Sequence, residues 1–394
     1  MTPPSESPAE RVVLDALGGV VSNLPPDARI AIAYSGGLDS TVLLDAAVRV
    51  AGAARCIALH VHHGLSPNAE RWLVHCEATA RALGTAFDAE RVEVRRENGE
   101  SVEAAAREAR YRALDAMCSR HGAAVLWLAH HADDQAETVL LQLLRGAGVA
   151  GLAAMAPQRA DGVAAVPRVR PLLHLLRAQL ERYAHERGLR WIEDESNADT
   201  RYARNALRHE VIPALTTHFP GFRDALARAA THAATAQRLL DDLARIDLRT
   251  ISRDGGRALS RETLLALDDA RAANVMRLWM RSIGLPAASA ARLSDMLRQL
   301  REARADHGLR VDHAGRSLRL YRDEVHWAAN ERAEAADWPD ALPVREPSVL
   351  AWGGEEVWHL PQWRGSLVFA PVTADETNAD TVAEALLASA PLTA

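Results

Sequence analysis

Ser35-Gly36-Gly37-Leu38-Asp39-Ser40-Thr41 stands between a short apolar run at residues 30–34 and a helix-forming stretch at 41–50. A strand that ends in a glycine turn and reopens as a helix is the local plan of a phosphate-binding loop. Gly36 and Gly37 allow a tight turn and a close approach of the main chain to a ligand, because no Cβ stands in the way. The start of the following helix offers unpaired amides and the positive end of the helix dipole. Ser35, Ser40 and Thr41 are expected to add hydroxyl donors. Asp39 is the informative member of the string. A carboxylate beside a phosphate repels it unless a divalent cation lies between, so Asp39 points to Mg²⁺ bridging to phosphate oxygens.

Outward from this loop, apolar runs alternate with helical stretches. Residues 56–61, 87–94 and 125–129 are strand candidates, and 68–83, 102–121 and 133–145 are helix candidates. The alternation predicts an α/β fold, a Rossmann-like parallel sheet with helices on both faces. Its ligands belong at the carboxyl ends of the strands. From about residue 215 the pattern turns helical, over 222–251, 271–283 and 289–303. Short strands are expected at 309–313, 317–321 and 325–328. Three regions follow: a catalytic domain at 1–215, a mainly helical middle domain at 216–330, and an acidic C-terminal segment at 331–394. Trp338, Trp352, Trp358 and Trp363 suggest a small β module in the last segment, with 374–394 loosely ordered.

Composition narrows the chemistry. The 394 residues carry a net charge of −6, with 48% hydrophobic and 25% charged residues, the balance of a soluble globular chain. All 46 basic residues are Arg. Without Lys, neither a Walker A loop nor a Schiff-base enzyme can be built. Residues 201–330 hold 22 Arg against 15 acids, while 1–200 hold 21 against 26 and 331–394 hold 3 against 11. A basic block inside an acidic chain is expected to meet a polyanion. Cys56, Cys76 and Cys118 form no C-x-x-C pair, which argues against a zinc knuckle or a redox dithiol. Few, scattered cysteines fit a reducing compartment. The polar start of the chain reads as no secretory signal, and no apolar run is long enough for a membrane span, so the expected location is the cytoplasm.

Further strings carry charge to the strand ends. His60-Val61-His62-His63-Gly64 follows the second strand, and His62 and His63 are expected to shape a loop. Glu103-Ala104-Ala105-Ala106-Arg107-Glu108-Ala109-Arg110-Tyr111 lies on a helix, where Arg107 and Arg110, three apart, could face the ATP phosphates together. His130-His131-Ala132-Asp133-Asp134-Gln135-Ala136-Glu137 follows the fourth strand. Asp134 and Glu137 share a helix face and are expected to face a cleft, where an ammonium would bind, with one of them or a histidine, His131 before His130, to accept its proton. The bland alternative is that the two Asp only cap the helix. Asp194-Glu195-Ser196-Asn197 precedes Arg201, Arg204, Asn205 and Arg208, which are expected to grip a nucleic-acid backbone or an adenylate.

The Ser-Gly-Gly-x-Asp-Ser loop resembles that of the N-type ATP pyrophosphatases, the PP-loop superfamily. The five strings in their order resemble the tRNA(Ile)-lysidine synthase family. The resemblance covers 25–215 closely and the middle region more weakly. It implies ATP and Mg²⁺ as cofactors, with Asp39 at the metal. Ser35, Gly36, Gly37, Leu38, Asp39 and Ser40 would lie on the nucleotide. Asp39, Arg107, Arg110, His131, Asp134 and Glu137 would serve catalysis. It further implies adenylation of the wobble cytidine of a CAU-anticodon tRNA(Ile), then attack by free L-lysine. A homodimer is left open. Long family members end in a basic C-terminal module, so the acidic end here is expected to be an incomplete one. The alternative is a tRNA thiolation enzyme of the same superfamily.

Overall fold

The first helix, α1 (Pro8–Val21), is one that the apolar pattern did not suggest. Ser7 caps it in a reciprocal capping box with Glu10. The computed structural model describes residues 7–64, 66–93, 102–159, 166–193, 200–303, 309–329, 357–360 and 365–368. In it the alternation of the first half becomes β1 (Ile30–Ala33), α2 (Leu38–Ala51), β2 (Cys56–His62), α3 (Ala69–Ala82), β3 (Ala86–Arg91), α4 (Val102–Arg120), β4 (Val125–Trp127) and α5 (Ala132–Leu144). A one-turn α6 (Val149–Leu152), the two-residue β5 (Gln158–Arg159) and β6 (Arg168–Val169), and α7 (Arg177–Glu186) follow.

The strands order as β3-β2-β1-β4-β6-β5. All neighbours are parallel except β5, which runs antiparallel at the edge. One face of the sheet packs on α1, α2 and α7 through Val13, Leu17, Val42, Leu43, Leu180 and Tyr183. The other packs on α4 through Leu114 and Met117 against Ile57 and Leu126. Because the strands are covered on both faces, they read as continuous apolar runs rather than as alternation. Helices that return a parallel strand start at the carboxyl edge, so the starts of α2, α4 and α5 converge there.

Beyond α8 (Ala203–Ala206) the chain makes one π-helical turn at Leu207–Val211 and continues as α9 (Ile212–His218). The 30-residue α10 (Phe222–Ile251) comes next. Ala136, Ile212 and Phe222 pack together and join α5, α9 and α10. The middle region also holds more strand than expected. β7 (Ser252–Arg253) and β8 (Ala258–Ser260) pair ahead of α11 (Arg261–Leu265), α12 (Asp269–Ser282) and α13 (Ala290–Glu302). They then join β9 (Arg310–His313), β10 (Arg316–Tyr321) and β11 (Glu324–Ala329) in one antiparallel sheet. Its core centres on Met276, Trp279, Leu293, Leu297 and Leu318. Residues 330–394 form a separate unit. In that unit β12 (Val357–Leu360) pairs antiparallel with β13 (Gly365–Val368). The expected tail at 374–394 and three of the four tryptophans lie outside the described residues. No helix among the described residues is long and apolar enough to cross a membrane.

One buried polar knot ties α2 to α7. Asp45 is almost fully buried, and its carboxylate accepts from Tyr183 Oη at 2.5 Å and from Arg187 at 3.3 Å. Burial and the Asp45 charge together push the Tyr183 phenol up. Tyr183→Phe leaves that buried carboxylate short of a donor. Hydrogen bonds to charged groups contribute about 1.5–3 kcal/mol, so urea unfolding of the variant should show a loss of that size. A loss under about 0.5 kcal/mol would mean that Arg187 alone satisfies Asp45.

Candidate active site

The phosphate-type loop is built by close packing. Gly36 has φ +84°, the left-handed region that only glycine enters cheaply. A Cβ there would stand 2.8 Å from Cys76 Sγ and 2.8 Å from Ile192 Cδ1. The Gly36 carbonyl also accepts from the Ile192 amide at 2.9 Å. Gly37 is the N-cap of α2 and supplies no side chain, so the first amides of α2 are left for a ligand. The hydroxyls behave differently from expectation. Ser40 and Thr41 are buried and donate back to the Gly37 carbonyl at 3.0 and 2.9 Å. They brace the loop, while Ser35, which is exposed, keeps its Oγ 3.0 Å from Ser40 Oγ. Leu38 is buried and anchors the helix start.

Asp39 lies on the first turn of α2. Its Oδ1 is buried with no hydrogen-bond partner among the described residues. Its Oδ2 lies 3.6 Å from His131 Nε2. A buried carboxylate oxygen without a donor is suited to a cation, and Mg²⁺ takes one or two carboxylates and completes its shell with phosphate and water.

His131 is the N-cap of α5. Its Nδ1 accepts from the Asp134 amide at 3.4 Å, and Asp134 Oδ2 accepts from the His131 amide at 3.1 Å. Burial alone would lower the His131 pKa. The Asp39 carboxylate, with Asp134 and Asp133, outweighs burial and raises it. Asp133 is turned to structural work, accepting from the Arg177 amide at 2.9 Å and from Arg223 Nε at 2.5 Å.

Asp134 and Glu137 do share a face, but it is not an open one. Glu137 is only 1% exposed. Its carboxylate accepts from Arg204 Nε at 2.7 Å and from Arg208 Nε at 2.7 Å, and Asp134 Oδ1 accepts from Arg204 Nη2 at 3.1 Å. Arg204 and Arg208 are thus spent on protein carboxylates rather than turned outward to a backbone. Their spacing of four, across α8 and the π-turn, puts both on one face. Burial would lower the Arg208 pKa, but Glu137 holds it raised. Arg201, exposed just before α8, and Asn205, half-buried within it, share the segment. Glu195, Ser196 and Asn197 lie outside the described residues.

Arg107 and Arg110 also share a face, turned toward Tyr111. Their guanidinium carbons lie 5.3 and 5.5 Å from its ring centroid, and that of Arg168 lies at 4.2 Å. The sequence reading missed Arg168 and Arg170. The signal was present in Arg168-Val169-Arg170, since period-two spacing on a strand puts both Arg on one side. His62 stands 3.3 Å from Glu70, and His60 Nδ1 lies 2.9 Å from the Tyr34 carbonyl oxygen, both loop-shaping contacts. The three cysteines are free and buried. Burial pushes the Cys56 thiol up to about 11 and those of Cys76 and Cys118 up to about 12. None is a ready thiolate, which weighs against thiolation chemistry.

Residues 11–215 match the PP-loop domain family, and residues 259–326 match the TilS substrate binding domain. The tRNA(Ile)-lysidine synthase of Burkholderia pseudomallei is 65% identical over 413 aligned positions, covering 100% of this chain and 84% of that protein. The tRNA(Ile)-lysidine synthase of Ralstonia nicotianae is 42% identical, covering 94% of this chain and 79% of that protein. A glycine loop at a strand tip facing a carboxylate-bearing helix start, inside the first of two matched domains that stand in order, places the chain in the tRNA(Ile)-lysidine synthase family of ATP-using, tRNA-modifying ligases.

Proposed function

We propose that this chain joins free L-lysine to C2 of the wobble cytidine of CAU-anticodon tRNA(Ile) through an adenylated cytidine. The observation that carries the reading is the unpartnered Asp39 Oδ1 beside the open helix start of α2, set against the acidic start of α5. Asp39 would hold Mg²⁺, which when bound neutralises charge on the leaving pyrophosphate. The α2 amides and Ser35 bind the polyphosphate. The cytidine 2-oxygen attacks the α-phosphorus and pyrophosphate leaves. Lysine Nε then attacks C2, the C2–O bond breaks, and AMP departs with the former 2-oxygen.

The ammonium must reach carboxylates that are already paired. Asp134 and Glu137 against Arg204 and Arg208 form a neutral quartet, so lysine can enter by exchanging one cation for another at no net charge. Arg204 is the one to yield. It is half-buried, and its charge also reaches His130. His131, held between Asp39 and Asp134, takes the proton that lysine loses on attack. In this reading residues 1–215 carry the chemistry, and 216–330 hold the RNA.

The direct assay supplies ATP, Mg²⁺, labelled lysine and CAU-anticodon tRNA(Ile). Label should enter the RNA, with one AMP formed per lysine. Sulfur incorporation, or no lysine, would refute the reading. Asp39→Asn should abolish AMP formation while tRNA binding stays within about twofold. Gly36→Ala should do the same by closing the loop's approach. Glu137→Gln should raise the KM for lysine about 10- to 100-fold, the worth of one charged hydrogen bond, with the KM for ATP nearly unchanged. Equal shifts in both KM values would remove the ammonium from this carboxylate pair.

A further inference from the structure

We infer that Arg107, Arg110, Arg168 and Arg170, gathered around Tyr111 and His130, form a second anion site that holds a phosphodiester of the RNA beside the reacting nucleotide. The inference rests on the proposed function for the identity of the RNA, but not for the existence of the site.

Among the described residues, Asp115 is the carboxylate paired with this group of four arginines. Arg168 meets Asp115 at 2.8 Å, and Arg170 donates from Nη1 to the Ala156 carbonyl at 2.7 Å. Yet Arg168 Nε, Arg170 Nε, His130 Nδ1 and His63 Nδ1 are all buried with no hydrogen-bond partner among the described residues. Arg170 is itself buried. Packing several guanidiniums together away from water is unfavourable unless an anion completes them. The Tyr111 ring gathers three of the guanidiniums by cation–π contact rather than lying open as a base-stacking platform. Burial first, then Arg170, Arg107, Arg110 and Arg204, hold the His130 pKa well below its ordinary value. Burial and Arg110 bring His63 down to about 4. Both rings are therefore neutral near pH 7 and can each donate one N–H to an oxyanion.

The nucleotide's own phosphates belong elsewhere. His131 has extended backbone, φ −125° and ψ −178°, so it and its neighbour point to opposite sides. The charged neighbours of His131 are Asp39, Asp134 and Asp133, on the side of the glycine loop. The charged neighbours of His130 are all arginines. The reaction brings two polyanions, ATP and RNA, and the glycine loop accounts for the first. The planar fork of Arg suits the phosphates of the RNA.

The test uses the full chain and a CAU anticodon stem-loop, read by binding at several salt concentrations and by ATP-dependent pyrophosphate release. Arg107→Gln is exposed and safe for folding, and Arg170→Gln probes the buried part. Arg112→Gln removes the same charge from α4 where the side chain faces Glu108 instead. A stem-loop with neutral methylphosphonates flanking the wobble cytidine removes the charge from the other partner. Arg107→Gln should weaken stem-loop binding about tenfold and reduce the salt slope by about 0.7–0.9, the value for one lost phosphate contact. The methylphosphonate RNA should bind the unaltered chain as weakly, with no further loss in Arg107→Gln or Arg170→Gln, and Arg112→Gln should bind normally. A raised KM for ATP with RNA affinity intact would assign the cluster to the triphosphate. Equal losses in Arg107→Gln and Arg112→Gln would reduce it to diffuse surface charge. Either result overturns the inference. Failure of lysine incorporation with the binding pattern intact would instead remove the proposed reaction and leave the anion site standing.

Discussion

The Glu137 carboxylate sits at the base of α5 with almost no access to water, and a charge in that position must be paired. Arg204 and Arg208 provide the pairing from 67 and 71 residues further along the chain. That obligation draws the α8 segment down onto α5, and Ile212 and Phe222 then seal against Ala136 behind it. The rest of the site inherits the arrangement. With two cations drawn to one side of α5, the acids at its start are largely neutralised, while Asp39 Oδ1 stays without a donor among the described residues.

The second organising feature is the extended turn at His130-His131. Adjacent side chains of extended backbone diverge, so one histidine looks into carboxylates and the next into guanidiniums. In water the high dielectric constant would weaken both fields. Here both rings are largely enclosed, and the two fields persist a few ångströms apart. The proposed reaction, with an ammonium and a phosphate on either side of one carbon, would use such a division. The parallel sheet makes it available, because β1, β4 and β6 all end at the same edge and deliver the glycine loop, the histidines and Arg170 to it.

Much of this was legible in the chain. The glycine string named its own strand and helix, and α10 begins and ends where its periodicity put it. Contiguous motifs are legible because their physics is local: a turn, a cap, a dipole. What sequence did not show is where long side chains reach. Arg204 and Arg208 read as outward grips because their partner Glu137 is 67 and 71 residues away in sequence and is met only after α5 and α8 pack. Ser40 and Thr41 read as ligand donors, yet helix geometry returns their hydroxyls to the Gly37 carbonyl. α1 and α7 were missed because their apolar faces are short and become apparent only when the sheet supplies the surface they cover.

The absence of lysine gains a chemical meaning from this geometry. A guanidinium keeps its proton at any pH the enzyme meets, whereas an ammonium can lose one. Arg204 can therefore occupy the carboxylate pair before substrate arrives without ever acting as a nucleophile toward an activated base. A lysine in its place would carry the same charge and also an attacking nitrogen, and the protein would risk bonding itself to its substrate. On the proposed reading, arginine holds the carboxylate pair neutral in charge until the lysine ammonium replaces it.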